Sequence, residues 1–128
     1  MNISKFTQKS VQAVQDLEKV AYEYGNQEVE QEHLLYALLT QEDSLILKLI
    51  EKMEINKEYF INTVKKALDA KVKVSGGDLR FGQYLNKSLV NAENEAKAMG
   101  DEYVSVEHLF LSLLTQPSPS MKKIFKEF

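Results

Sequence analysis

Each of the two histidines in the chain follows a glutamate, giving Glu32-His33 and Glu107-His108. A carboxylate beside an imidazole can move a proton, and two such pairs brought together would offer a metal ion four ligands. The same residues also suit a helix start. Exposed backbone N–H groups and the positive end of the helix dipole favour an acid there, and a neighbouring histidine can close the turn by hydrogen bonding. Spacing favours this second reading. Neither pair has the close HxxxH arrangement of a helical metal site, so a shared site would need two separate helix starts to converge. Serines and threonines are scattered over cap and loop positions with no third histidine to activate them. No catalytic and no metal-ligating residue is therefore assigned. The chain has no cysteine, which excludes a disulfide framework or a thiolate site.

What must position the two pairs is an internal repeat. VEQEHLLYALLTQ at residues 29 to 41 returns as VSVEHLFLSLLTQ at residues 104 to 116, eight positions identical at a constant offset of 75. A gap-free match of this density marks a duplicated structural unit. Upstream of each copy, apolar residues recur at helical spacing: Phe6, Val14, Leu17, Ala21 and Tyr24 before Gly25, then Phe81, Leu85, Leu89, Ala92, Ala96 and Met99 before Gly100. Each glycine offers a left-handed stop. The EHL helices follow, with Ser105 as a good N-cap and Glu30 as a poorer one. Leu34, Leu35, Leu38 and Leu39 give one wide apolar face, and Leu109, Phe110, Leu113 and Leu114 give the other. Third helices carry Ile46, Leu49, Ile50 and Met53, then Met121, Ile124, Phe125 and Phe128, with Ser44 and Ser120 near their starts. Only the first copy continues into a fourth, capped by Asn56 and carrying Tyr59, Phe60, Val64 and Leu68.

The expected architecture is all-α: a single domain over residues 1–128, a pseudo-two-fold bundle of two tandem helical repeats of about four helices each. Repeat one covers 4–70, a surface linker 71–80 and repeat two 81–128, with the last helix of repeat two missing. That gap suggests the front of a longer protein. Gly76-Gly77 sit in the linker without the lysine and hydroxyl of a phosphate loop. A net charge of −3 with acids and lysines interspersed argues against nucleic acid. The longest apolar runs are too short for a bilayer, and the N-terminus lacks a secretory core, so a cytoplasmic location is expected. Two repeats leave a seam, and seams accept peptides. Val11 and Tyr22 on the first helix and Val90 on its partner point away from the core stripe, with Tyr84 at the border, so these are candidates to line it.

The doubled pattern, a helix closed by glycine and then V-x-x-E-H-L with paired leucines, resembles the N-terminal repeat domain of the Clp family of AAA+ unfoldases. The resemblance covers essentially the whole chain. Asn26-Gln27, Thr40-Gln41 and Gly100-Asp101 look most like the ClpB branch. The resemblance implies a substrate-recruiting domain, mobile above a hexameric ATPase ring, that receives unfolded or aggregated polypeptides while the ring extracts them with the DnaK system. ATP and magnesium would then belong to the parent protein and no cofactor to this domain, which by itself would be a monomer. It also implies a substrate surface near Thr7, Asp101 and Glu107. In the ClpC and ClpA protease-regulator branch, which binds adaptors, glutamates at the Glu32 and Glu107 positions are linked to phosphoarginine capture. The V-G-T-E-H form usual there is V-E-Q-E-H and V-S-V-E-H here.

Overall fold

A computed structural model describes residues 3–128. Among them are seven α-helices and one two-stranded sheet: α1 (Gln8–Glu23), β1 (Glu28–Val29), α2 (Gln31–Leu39), α3 (Leu45–Lys52), α4 (Lys57–Asp69), β2 (Arg80–Phe81), α5 (Gln83–Ala98), α6 (Val106–Thr115) and α7 (Pro119–Lys126). The fold is all-α, as the periodicity indicates. α1 and α5 each bury one stripe, Ala13, Leu17, Val20 and Ala21 in one and Leu85, Leu89, Ala92 and Ala96 in the other. α2 is buried almost all round, which explains its apolar width and its place at the centre of the core. Gly25 and Gly100 adopt φ of +69° and +74° directly after the long helices, the left-handed stop that a side chain would resist.

The 75-residue offset reappears in space. Phe6 makes a parallel bridge with Val104, and its counterpart Phe81 pairs in parallel with Val29, the counterpart of Val104. Thr7 N–H donates to Val104 O at 3.0 Å, and Gly82 N–H to Val29 O at 2.8 Å. Each half thus threads the start of its long helix beside the EHL entry of the other, which is a two-fold exchange. Phe6 and Phe81 consequently sit outside the helices to which their spacing assigns them. Their bulk fits the stripe, but the backbone ahead of each helix is held extended by these cross-repeat bonds.

A single glutamine ties the halves together. Gln31, fully buried, donates from Nε2 to Ser88 Oγ (2.7 Å) and Gln116 O (2.9 Å) and accepts Ser118 N–H at Oε1 (2.8 Å). Among the described residues no buried side-chain polar atom lacks a partner. The cap of α7 is Ser118, with Pro119 as first helical residue and Ser120 just after it in the first turn; proline's fixed φ and missing N–H suit that place. Residues 71–79 carry no helix or strand. This stretch is latched to repeat one, with Val74 N–H donating to Gly25 O at 2.9 Å and Lys73 Nζ to Tyr24 O at 2.6 Å.

Candidate functional site

The two Glu-His pairs do different work from a catalytic dyad. In each repeat the histidine takes the place of the acid in a capping box. His33 Nδ1 accepts the backbone N–H of Glu30, and His108 Nδ1 that of Ser105, both at 2.9 Å. With Nδ1 accepting, Nε2 is the donor: it reaches Asn26 Oδ1 at 3.0 Å in repeat one and Asp101 Oδ2 at 2.8 Å in repeat two. Both ring nitrogens are therefore engaged in pinning the loop after the long helix onto the start of the next. Burial, helped by the charge of Lys71, lowers the His33 pKa from 6.5 to about 4. No group of three or more potential metal ligands occurs among the described residues.

The two glutamates part company. Glu32 is buried, and its carboxylate accepts Lys71 Nζ at 3.1 Å and Ser120 Oγ at 2.7 Å. Lys71 also pairs with Glu30 at 2.6 Å. Burial alone would lower the Lys71 pKa, but the hydrogen bond and charge of Glu30, with the charge of Glu32, hold it above its ordinary value. Glu107 is exposed, and among the described residues it forms no ion pair. Glu32 is thus paired with Lys71 and Ser120 while Glu107 is open to solvent, so the two glutamates stand in different surroundings.

Glu107 instead stands at a groove of about 440 Å³ lined by Leu49, Met99, Asp101, Phe110, Leu111 and Leu114, with Ser105 and His108 at its end. Met99 is 58% and Leu114 42% exposed, although each belongs to an apolar stripe. Both depart from the core positions that periodicity assigns them. In repeat one α4 packs along α2. Met53, at the end of α3, is also exposed rather than core. A larger cleft of about 530 Å³ lies between α4 and α7, and there Glu32, Lys66, Lys71, Lys123 and Glu127 stand among Tyr59, Ala67, Ala70 and Ile124. The groove beside α6 is the more apolar surface, and apolar surface supplies affinity.

The sequence-derived candidates divide accordingly. Asp101 and Glu107 line the groove; Thr7, Val11 and Val90 do not. Thr7 is half-buried and caps α1, its Oγ1 accepting Ser10 N–H at 3.2 Å. Val11 is half-buried against the core rather than free, because α1 is flanked on more than its stripe side. Val90 and Tyr22 are exposed at 57% and 70%, and Tyr84 at 45%. The groove residues Leu49, Met99, Leu111 and Leu114 escape a reading by periodicity, which counts every apolar stripe as core.

For nucleotide, the residues do not fit. Gly76 and Gly77 both have positive φ but are followed by Asp78 and Leu79, and α5 begins only at Gln83, so no helix N-terminus or lysine meets a phosphate there.

These features define a class: an all-α tandem-repeat domain built by duplication, with an open apolar groove on its second half. The pattern of the Clp repeat (R) N-terminal domain matches residues 5–128, and the chain belongs to that family. It is 40% identical to the chaperone protein ClpB of Nitratidesulfovibrio vulgaris and 40% identical to that of Clostridium tetani. Each match runs over the whole of this chain but over only 16% and 15% of the relative. The Hsp104 N-terminal domain from Candida albicans has the same fold, with a TM-score of 0.86 over 96% of this chain and 81% of that one at 23% identity. The resemblance carried by the doubled V-x-x-E-H-L motif is borne out. No helix among the described residues is long and apolar enough to cross a membrane.

Proposed function

We propose that this domain recruits non-native polypeptide through the groove beside α6 and, in a longer ClpB-type parent, delivers it to an AAA+ ring. The observation that carries this reading is the exposure of Met99 and Leu114 in one concavity, with Asp101 and Glu107 at its rim. Apolar side chains there would take up the hydrophobic residues that an unfolded chain exposes, and the carboxylates would orient its amides and cations. The two relatives named above, both chaperone protein ClpB, support the same direction. ATP and magnesium, a hexameric assembly, cooperation with the DnaK system and a cytoplasmic setting belong to that proposed parent. The domain alone is a monomeric receptor.

Fluorescence anisotropy with a reduced, carboxymethylated and so permanently unfolded protein tests it. Leu114→Asp puts a charge into the groove at an already exposed position, and binding is expected to weaken about tenfold, roughly 1.4 kcal/mol. Val90→Asp, outside the groove, is expected to leave it unchanged. Equal binding by the wild type and Leu114→Asp would remove the groove as the recruiting site.

A further inference from the structure

We infer that the cleft between α4 and α7 is a second docking site, for a partner polypeptide segment in which an apolar side chain is flanked by carboxylates. The inference does not rest on the groove beside α6, with which this cleft shares no lining residue.

The shape of the cleft is set by contacts at its two ends. Near the start of α4, Tyr59 meets Phe128, just past the end of α7, with ring centres 5.2 Å apart, and Phe60 meets the same ring at 4.8 Å. At the other end Lys71, just past α4, pairs with Glu32 at 3.1 Å, and Ser120 in the first turn of α7 donates to the same carboxylate at 2.7 Å. The two helices therefore run antiparallel as facing walls, closed by an aromatic contact at one end and a buried ion pair at the other. Between them Ala67, Ala70 and Ile124 supply an apolar floor.

The walls carry positive charge that the fold does not use. α4 and α7 hold six lysines and two acids, in a chain whose net charge is −3. Lys66 on one wall and Lys123 on the other are exposed and, among the described residues, form no ion pair, whereas Lys71 is paired twice. Two ammonium groups thus border one apolar floor, and a carboxylate entering between them is attracted by both. A free anion would gain only screened contacts with exposed lysines, which are worth little alone. The floor must share in the binding, and that requires an apolar group beside the charge. A nucleic acid strand fits poorly, because Glu32 and Glu127 stand in the same cleft and repel a continuous run of phosphates. An aliphatic or aromatic side chain with Asp or Glu on either side meets both demands.

The test titrates a capped synthetic peptide, DEFDELDE, into the isotope-labelled chain and follows amide chemical shifts. Saturable shifts are expected at Lys66, Ala67, Ala70, Lys123 and Ile124. Exchanging the acids for their amides (NQFNQLNQ), or the two apolar residues for serine (DESDESDE), is expected to weaken binding about tenfold in each case. Lys66→Gln combined with Lys123→Gln is expected to do the same, and since both side chains are exposed and outside any ion pair, the fold survives the change. Leu114→Asp is expected to leave this binding unchanged, so the cleft and the groove beside α6 stand or fall separately. No saturable shift at the cleft, or undiminished binding by the double variant or by either control peptide, would overturn the inference. So would an oligouridylate or inorganic phosphate moving the same amides as strongly, which would make the cleft a general anion site.

Discussion

His33 and His108 look alike in the sequence and cap alike in the fold, yet their partners differ by one atom: Nε2 meets an amide oxygen at Asn26 and a carboxylate at Asp101. That both pairs open helices follows from residue type and spacing. That the histidine can satisfy the turn follows as well, but the loop acceptor seven residues upstream is revealed only by the fold. For His33 the environment has a measurable consequence. The unfolded chain protonates it near 6.5 and the folded one only near 4, so between those values protons bind the unfolded state preferentially. Its contribution to stability is present above about pH 6.5 and is lost as pH falls towards 4. Urea titrations from about pH 7.5 to about pH 5 are expected to show a loss of about 2 kcal/mol from this group. His33→Gln is expected to flatten the slope by that amount, and an unchanged slope would contradict the assignment.

At the scale of elements, the helix stripes were legible because burial on one face imposes a 3.6-residue period, and Leu17, Ala21, Leu89 and Ala92 sit where that period puts them. What the period does not encode is partnership. Phe6 and Phe81 satisfy the stripe but belong to cross-repeat backbone pairings, and Leu114 satisfies it yet is 42% exposed. The repeats are also joined by a polar contact that periodicity would not place. Gln31 precedes a hydrophobic run and reads as a surface residue, yet it bridges α2 to α5 and to the entry of α7. Gln31→Ala would leave the Ser118 N–H and the Gln116 carbonyl without their partner and open a cavity, at a cost of about 3 kcal/mol. A urea midpoint shifted by less than a third of that would mean water replaces the amide and the bridge is dispensable.

For the whole molecule, duplication explains the symmetry. The two-fold exchange of Phe6 with Val104 and Phe81 with Val29 builds one core from two halves. The family was legible because the EHL entries hold the crossing point of that exchange, a constraint that both copies must satisfy. The concavity was not, because Val11 and Val90 follow from outward direction and Thr7 from the resemblance, and neither says which exposed residues share one groove. Amide chemical-shift mapping of the labelled domain during titration with a permanently unfolded protein tests this most directly. Saturable shifts at Leu49 and across residues 99–114, with the Val90 face of α5 silent, are the expected result. Shifts centred on that α5 face, or scattered and unsaturable, would contradict it.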